Sequence, residues 1–588
     1  MSASDIRLSR RTLLYAAGAT AVTGYASGVA SPAAAAAPAS QLVTYPIPDG
    51  IAQNTSFAVK VRTPGGAWRA VSTYLAKFMT IDPKTGSGTT RNSSMAYFDF
   101  SGEVEVSVTY ASDSIKSARI RPLSYGVVST LRKHNTLLFT LTEPRNLSIE
   151  VNGDLFDNLQ LFAGAIETDP PSADDPDVIY FGPGVHTTSD GDVTVPSGKT
   201  VYLAGGAVLK ARVLFQKVDN AKLLGRGLIY QAPNGGGCDV NYCTNIEIDG
   251  VTMLLPGGHS ISAAQTQNLT VRGLRSLSAT TWGDGIDLFC CTDVLIDGVF
   301  MRNSDDCIAV YNHRWDYVGD STDIVLQNST LWADVAHPVN VGTHGNTDAP
   351  EKIENLTIRN IDILDHREPQ LDYQGCIALN PGDSNLIRNV RIEDVRVEDF
   401  RWGQLINMRV MFNKSYNTSP GRGIEMVYVK NLSYSGTHAA TSHLVGYDAG
   451  HAIKDVTFEN LVVNGALVSD TDGHASWYKT SDFVPMYTNE HVTNLTFVDS
   501  GASLTAVLPA IDSVDSATAT AGSDFGYTIT ASNVPYAFDA TGLPDGLSVD
   551  KATGVITGKP TVAGTSAITL SATNAVGAGT KALTLVVS

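Results

Sequence analysis

The sequence has little positive charge. Its 588 residues include 41 lysines and arginines against 59 aspartates and glutamates, which gives a formal net charge of −18. A surface of this sign repels phosphate backbones and anionic lipids, so we expect neither nucleic acid nor a membrane as a partner. The same sign disfavours a strongly polyanionic substrate unless a local basic groove overrides the average.

Cysteine is also scarce, and the six residues present follow no zinc-binding spacing. No histidine stands at a partnering offset, so we expect no metal and no cofactor. Cys307 and Cys376 occupy equivalent places in DDCIAV and QGCIAL, which predicts inward-facing core positions. Cys238 and Cys243 could form a disulfide in an exported protein, and this alternative stays open.

Long apolar runs are lacking after the N-terminal segment. That segment carries SRRTLL at 9–14, followed by a stretch rich in alanine and glycine. It resembles a twin-arginine export signal, and its glycines make it a poor membrane span. We therefore expect residues 1–38 to be a signal peptide, and the mature protein to be secreted in soluble form.

Glycine, by contrast, is abundant at 53 residues, and a short alternating pattern recurs along the centre of the chain. Examples are NIEIDGV at 245, NLTVRGL at 268, DVLIDGV at 293 and NLTIRNI at 355. Each unit is too short for a helix and can bury its apolar residues only by stacking on the next unit. The pattern predicts a right-handed parallel β-helix over 175–505. A sandwich or a propeller is the alternative, which the irregular period disfavours.

Two flanking regions have a different texture. Residues 42–165 contain alternating strands such as SFAVKVR and VEVSVTY with hairpin-type turns, which predicts an antiparallel β-sandwich. Residues 509–588 are rich in Thr, Ala, Gly and Val and contain GLPDGLSVD and ATGVITGKP. This segment resembles the immunoglobulin-like module of many secreted bacterial proteins, which implies a small sandwich without a catalytic role. The expected fold class is therefore all-β throughout.

Three carboxylates are expected to meet in the coil. WGDGIDL and NSDDCIAV align when Ile286 is placed on Ile308, which puts Asp284 on Asp306 and close to Asp305. In a β-helix such residues are neighbours on adjacent turns, about 4.8 Å apart. Grouped carboxylates can perform acid and base chemistry on a glycosidic bond. We interpret these three aspartates as catalytic.

The same alignment adds histidines to the candidate site. It places His337 in the column of Asp284 and Asp306, and it stacks His313 over His344. A histidine beside two carboxylates can hold the charge state of a carboxylate or contact sugar hydroxyls. A turn or core position is the alternative for each of the three.

Aromatic residues flank these segments and could stack on sugar rings: Trp282, Tyr311, Trp315 and Tyr373. Ordinary loop packing is the alternative. Tyr311 and Tyr373 join the three histidines as our expected substrate contacts. Asp287 is a further acid, whose direction the strand alternation leaves uncertain.

With these residues in place, the coil resembles the polygalacturonases of glycoside hydrolase family 28. NSDDCIAV is similar to the QDDCIAI-type signature of that family, and WGDGIDL to its NTDGFD segment. The resemblance implies that Asp305 is the general acid and that Asp284 and Asp306 position and activate water in an inverting hydrolysis. A sandwich ahead of the coil is similar to family 49 dextranases and isopullulanases, which carry a related Asp triad.

Two departures from family 28 concern the substrate. VGTHG at 341–345 approximates the GHG segment of the family, and no RIK segment occurs. The missing basic segment weakens the case for galacturonate. We expect a glycoside hydrolase acting on a polysaccharide or oligosaccharide. A β-helix polysaccharide lyase, usually dependent on Ca²⁺, and a non-catalytic glycan-binding adhesin are the alternatives. The sugar, the linkage, endo or exo action and the oligomeric state stay open.

Overall fold

The computed structural model describes residues 40–501, 509, 511, 513–531, 537–551, 553–574 and 577–588. Within these ranges the helical elements are three short 3₁₀ turns at Leu123–Tyr125, Leu371–Tyr373 and Thr480–Asp482. The signal-peptide prediction concerns residues 1–38, which lie outside the described part of the chain. None of the helical turns in the described ranges has the length and apolar character needed to cross a bilayer.

Two sheets form the N-terminal region. The strands of the first are Gln41–Thr44, Tyr74–Ile81, Gly88–Ser101, Ala118–Arg121, Arg145–Val151 and Leu159–Ala165. The strands of the second are Phe57–Arg62, Arg69–Val71, Val104–Tyr110, Thr130–Arg132 and Thr136–Leu141. Their alternating apolar residues meet in one core that includes Val59, Val106 and Leu161, which is how two half-buried sheets become a sandwich.

The central region is a coil of parallel strands. One of its sheets, called the site sheet below, has eleven strands: Asp192–Thr194, Arg212–Gln216, Cys238–Asn241, Ile261–Ala264, Ile286–Phe289, Ile308–Tyr311, Val339–Val341, Ile377–Leu379, Ile406–Arg409, Ser442–Val445 and Met486–Thr488. These strands pair in chain order, so each turn of the coil adds one strand to the site sheet.

The other walls of the coil merge into one sheet of twenty strands: Val178–Phe181, Gly184–His186, Thr200–Leu203, Ala207–Leu209, Asp219–Gly225, Leu228–Tyr230, Thr244–Asp249, Thr252–Leu254, Gln267–Arg272, Arg275–Leu277, Thr292–Asp297, Phe300–Asn303, Ser321–Ala333, Lys352–Asp365, Leu386–Glu398, Gly423–Ser435, Ile453–Glu459, Leu461–Val463, Ala466–Val468 and Val492–Val498. Gly403–Gln404 and Ala439–Ala440 form a separate short pair.

The first residue of each repeat explains why the chain turns there. Asn245, Asn268 and Asp293 open three successive repeats and have φ angles of 59°, 56° and 55°. Short polar side chains tolerate this left-handed backbone better than β-branched ones do. The side-chain amide of Asn268 also donates to Oδ1 of Asn245 at 2.7 Å, so that the corners of adjacent turns are bonded to each other.

Inward-facing apolar residues form the core of the coil. Ile286 pairs with Ile308, as the sequence alignment predicted, and both are buried in the same cluster. Cys307 and Cys376 belong to that cluster too, which confirms their predicted core positions. Cys238 and Cys243 are separate free thiols, so they do not form the disulfide that the sequence left open.

A buried arginine joins the N-terminal sandwich to the coil. Arg302 is fully buried between the rings of Phe78 and Trp332, with its guanidinium carbon 3.7 and 3.8 Å from their centroids. It also donates to the carbonyl oxygen of Leu155 at 2.8 Å. Since Phe78 and Leu155 belong to the sandwich region, that region braces the coil just before Asp305.

The C-terminal region contains two further sheets. Their strands are Ser516–Ala519, Ala537–Thr541, Gly564–Asn574 and Gly577–Val587 in one, and Phe525–Thr528, Leu547–Val549 and Val555–Gly558 in the other. Ile556, Leu570 and Leu585 are buried in its core. The predicted fold class is thus confirmed: the chain is all-β, with a parallel β-helix that follows one sandwich and precedes a smaller one in sequence.

Candidate active site

Three aspartates meet at the start of two neighbouring strands of the site sheet. Asp284 precedes Ile286, and Asp305 and Asp306 precede Ile308, the residue that pairs with Ile286. Each aspartate has a carboxylate oxygen, and the three chosen oxygens lie within 4.8 Å of one another. The alignment of the two segments therefore brings together the three acids that the sequence predicted.

Glycines on both sides of Asp284 permit this close approach. A Cβ at Gly283 would lie 2.3 Å from the hydroxyl of Ser304, and a Cβ at Gly285 would lie 2.2 Å from the carbonyl oxygen of Cys307. Neither position could hold a larger residue without moving the acidic turn. The WGDGI sequence is therefore a steric requirement of the fold as well as the carrier of Asp284.

Asp306 is paired with His337 beneath the site. The His337 ring Nδ1 lies 2.7 Å from Oδ1 of Asp306, and its backbone N–H donates to the same oxygen at 3.0 Å. On its other side, ring Nε2 bonds the carbonyl oxygen of Tyr373. Because both ring nitrogens face acceptors, both must carry a proton, and His337 is an imidazolium cation.

The second oxygen of Asp306 is also occupied. It accepts hydrogen bonds from the hydroxyl of Tyr311 at 3.1 Å and from the amide of Asn340 at 2.8 Å. The same amide of Asn340 lies 2.9 Å from the hydroxyl of Tyr373. Asp306 is therefore held in one orientation by four donors, as a preorganised carboxylate should be.

The surroundings push the pKa values of the acids apart. Burial alone would raise the pKa of Asp306, but the His337 cation and the donated hydrogen bonds hold it below its usual value. Burial raises the pKa of Asp305 well above its usual value, and the charges of Asp284 and Asp306 add to this. Burial, together with Asp287 and Asp306, likewise raises the pKa of Asp284. An ionised carboxylate thus stands beside two carboxyls that retain a proton more readily.

The charge of His337 is set by the same pair. Burial alone would lower its pKa, but the Asp306 carboxylate raises it to about 9. The next histidine, His366, is neutral for the converse reason: burial and the charge of His337 lower its pKa to about 3. Nδ1 of His366 donates to the carbonyl oxygen of Ala336 at 2.8 Å, which fixes the turn that carries His337.

Asp287 lies closer to this cluster than its sequence position revealed. It occupies the outward face of the strand after Asp284, is only 9% exposed, and has one carboxylate oxygen without a hydrogen-bond partner. Burial and the charges of Asp306 and Asp305 raise its pKa well above the usual value. The site therefore contains a fourth carboxyl, which the alternation of the strand could not orient from sequence alone.

Of the predicted substrate contacts, His337 is buried beneath the acids, whereas His344 is partly exposed. His337 is completely buried, so it acts on Asp306 and does not face solvent. Tyr311 and Tyr373 are directed at Asp306 and Asn340 through their hydroxyls. His344 is half-buried, with its ring 5.1 Å from that of Tyr311.

His313 and His344 belong to adjacent turns, as the alignment predicted, since Asn312 donates its backbone N–H to the carbonyl oxygen of His344. Burial, followed by the charge of Arg314, lowers the pKa of His344 to about 4, so it is neutral near pH 7. The Nδ1 atom of His313 is buried and has no hydrogen-bond partner.

Asn340 is the functional residue that the motifs missed. It stands opposite Ala309 on the outward face of the site sheet and bonds Asp306, Tyr311 and Tyr373. An isolated asparagine in the apolar strand PVNVG was the one available signal. Extending the alignment column by three residues beyond His337 would have found it.

The acidic cluster also bears on metal binding. Its three oxygens within 4.8 Å of one another are of the type that hard cations prefer. Within this group of three, Asp306 already accepts four hydrogen bonds, which leaves Asp284 and Asp305 with free capacity. Two carboxylates supply fewer oxygens than the roughly six to eight that Ca²⁺ usually takes as ligands. The expectation that the site needs no metal stays a prediction.

Comparison with known proteins identifies two family matches in this chain. Residues 211–479 match the family model described as "Glycosyl hydrolases family 28", and residues 508–588 match the one described as "Putative Ig domain". Both family resemblances seen in the sequence motifs are thereby confirmed.

Two curated relatives are each described as "Probable endopolygalacturonase D". The one from Neosartorya fischeri is 21% identical over 228 residues, which cover 39% of this chain and 43% of the relative. The one from Aspergillus oryzae is 22% identical over 331 residues, which cover 52% of this chain and 60% of the relative. The chain therefore spans less than two thirds of the length of either relative.

A solved structure supports the fold over a longer stretch. "Dex49A from Penicillium minioluteum" superposes with a TM-score of 0.56 at 13% identity, covering 78% of this chain and 96% of that one. At this identity the similarity concerns the architecture alone.

Proposed function

We propose that this chain, whose residues 211–479 match glycosyl hydrolases family 28, hydrolyses the glycosidic bonds of a polysaccharide. The observation that carries the proposal is the group of three carboxylates with opposite electrostatic environments. Asp306 is held ionised by His337, whereas Asp284 and Asp305 have raised pKa values. Neighbouring carboxyls with separated pKa values are what acid and base catalysis on one bond requires.

Asp305 is the general acid in this proposal. It is half-buried, so a substrate can reach it, and its raised pKa keeps the proton that the leaving oxygen needs. As the bond from the anomeric carbon to the glycosidic oxygen breaks, its electron pair stays on that oxygen. Asp305 then gives the oxygen its proton.

Asp284 and Asp306 hold the attacking water. Two hydrogen bonds of about 2.8 Å from one water reach carboxylate oxygens about 4.5–5 Å apart, which suits oxygens that lie within 4.8 Å. The water attacks the anomeric carbon, and Asp284, ionised for this step, takes the proton that the water loses. Its raised pKa makes the ionised form a stronger base than an ordinary aspartate. Asp306 stays ionised and orients the water, since His337 neutralises its charge.

The stereochemistry follows from the bonding of Asp306. Carboxyl separations of about 5–5.5 Å usually indicate a retaining enzyme, and about 6.5–9.5 Å an inverting one, so the short distances here point toward retention. We give more weight to the chemistry of the acids. Both oxygens of Asp306 already accept hydrogen bonds, so Asp306 is not a free nucleophile. Asp284 lies within reach of the same water and acts as its base. Inversion through water is therefore proposed.

Two polymer classes remain candidates for the substrate. The curated relatives are described as endopolygalacturonases, which favours a pectic polymer. The lack of the RIK segment favours a neutral glucan such as dextran. Secretion by the twin-arginine route completes the proposal and is supported by SRRTLL at 9–14.

The test is a hydrolysis screen of the purified protein on polygalacturonate, pectin and dextran, with reducing ends as the readout. Asp305→Asn is the matched control, since it removes the proton and preserves the shape. Release of reducing ends by the wild type alone supports the proposal. Products that absorb in the ultraviolet, and whose formation stops with chelator, would identify a lyase instead. Binding of a polymer without any cleavage would identify an adhesin.

A further inference from the structure

An apolar cluster lies on the outer face of the site sheet. Phe289 stands opposite Tyr311 in the strand register, with ring centroids 5.8 Å apart, and Ala264 and Ala309 complete the cluster. This cluster is separate from the main core, which lies on the inward face. An apolar group on the outside of a β-helix suggests that something packs against it.

The loop after Tyr311 adds two aromatic rings to this cluster. The ring of Trp315 lies 5.4 Å from that of Phe289 and is 67% exposed. The ring of Tyr317 stacks on Phe289 at 6.3 Å and contacts Tyr242 of an earlier turn at 5.6 Å. We call Phe289, Tyr311, Trp315 and Tyr317 the aromatic platform.

The loop is fixed in place by a carboxylate. Glu351 accepts hydrogen bonds from the backbone N–H groups of Gly319 at 2.6 Å and His313 at 2.9 Å. Within the loop, Arg314 and Tyr317 exchange backbone hydrogen bonds of 3.2 and 3.0 Å. An exposed indole on a loop held at both ends is ready for a ligand, because little ordering is needed on binding.

The platform is continuous with the catalytic acids. Tyr311 supplies its ring to the platform and its hydroxyl to Asp306, at 3.1 Å. Phe289 lies one turn further toward the N-terminal end of the coil, about 4.8 Å away along the axis. A chain bound across the acids in that direction would therefore pass over the platform.

From these contacts we infer that the aromatic platform is a subsite whose exposed ring, Trp315, stacks on a sugar ring of the bound glycan, next to the ring that is cleaved. Phe289 and Tyr311 are buried and support the Trp315 loop from below. The C–H faces of a pyranose ring are apolar and pack on aromatic rings, whereas its hydroxyls need polar partners at the rim. Arg314 provides those donors. Its guanidinium carbon lies 5.1 Å from the Trp315 ring centroid, and one of its nitrogens lies 3.4 Å from Nδ1 of His344, which places the guanidinium at the rim of the site.

The inference rests on the proposed function and makes a separate claim about binding. Trp315→Ala should raise the KM for the hydrolysed polymer roughly three- to tenfold and leave kcat within about twofold, since the ring contacts substrate and not the reacting atoms. Trp315→Phe should recover most of the loss. Trp68→Ala is the matched control: Trp68 is an exposed indole with the Arg62 guanidinium 4.5 Å from its ring centroid, in the N-terminal sandwich.

Binding is measured independently of turnover by retardation in gels that contain polygalacturonate or dextran, in an Asp305→Asn background. The inference predicts that one polymer retards this protein and its Trp68→Ala form, and that Trp315→Ala reduces the retardation. An unchanged KM and unchanged retardation in Trp315→Ala would overturn the subsite while hydrolysis by the wild type persists. If the wild type cleaves no polymer, the proposed function fails, and gel retardation alone tests the subsite. The subsite is then contradicted if no polymer retards the protein, or if Trp315→Ala leaves the retardation unchanged.

Discussion

His337 and Asp306 form a buried ion pair, with 2.7 Å between Nδ1 of the histidine and Oδ1 of the aspartate. The pair keeps one carboxylate ionised in a cluster where burial raises the pKa of the other acids. In the proposed mechanism the histidine therefore acts through the aspartate, from a position that the substrate cannot reach.

The first prediction concerns the stability of the protein at alkaline pH. The pKa of His337 is raised to about 9 in the folded state, so its contribution to stability is complete below its unfolded value near 6.5. That contribution is lost as the pH rises through about 9. Melting temperatures measured from pH 6 to 10 should fall across this window in the wild type and fall less in His337→Gln. Parallel curves for the two proteins would contradict the ion pair.

The second prediction separates Asp306 from Asp284 by stability. Asp306→Asn leaves the His337 cation without its partner, so it should destabilise the fold by about 3 kcal/mol as well as abolish activity. Asp284→Asn removes a carboxyl from an acidic cluster, so it should raise the melting temperature by roughly 1–2 °C while activity is lost. Both variants need the same two assays, a thermal melt and a rate. Equal destabilisation by both would show that the electrostatic assignment is wrong.

The third prediction concerns Asp287, whose charge raises the pKa of Asp284. Asp287→Asn should therefore lower the pKa of Asp284, so that the base ionises at lower pH. The acidic limb of the kcat–pH profile should shift to lower pH, with kcat reduced by less than about tenfold. Asp316→Asn, at an exposed loop position, is the control and should leave the profile unchanged. A profile that is identical in Asp287→Asn and the wild type would exclude this coupling.

The fourth prediction is stereochemical. Because Asp284 and Asp306 hold an attacking water in the proposed mechanism, the first product should appear with inverted anomeric configuration. Proton NMR of the reaction in its first minutes distinguishes the two anomers before they equilibrate. Initial release of the retained anomer would require a covalent intermediate, and the assignment of water to Asp284 and Asp306 would have to be abandoned.

The fold and the three acids could be predicted because the repeat period determines which residues stack. Once Ile286 is aligned with Ile308, the position of Asp284 over Asp306 follows from the pleat. The left-handed corners were also visible, since an asparagine or aspartate opens nearly every repeat; the exception is Met426, whose φ is 55°. These features depend on local sequence and on the neighbouring turn alone.

The remaining parts of the site depend on directions that the period does not determine. Whether Asp287 faces the acids depends on where its strand begins, and the motif did not show that position. His337 is buried because His366, on the next turn of the coil, and the loop behind His337 cover it. The sequence of that turn carries no motif that would have indicated this contact. The aromatic platform needs a loop to fold back over Phe289, and this is a tertiary contact without a sequence period.

The central claim is that Asp305 donates the proton that breaks the glycosidic bond. The most direct measurement is kcat of Asp305→Asn on the polymer that the wild type cleaves, with a thermal melt of the same sample. The account predicts a loss of about 10²–10⁴-fold or more in kcat and an unchanged or slightly raised melting temperature. A variant that keeps more than about a tenth of the wild-type kcat would contradict it, because that loss is smaller than the loss expected on removal of a general acid.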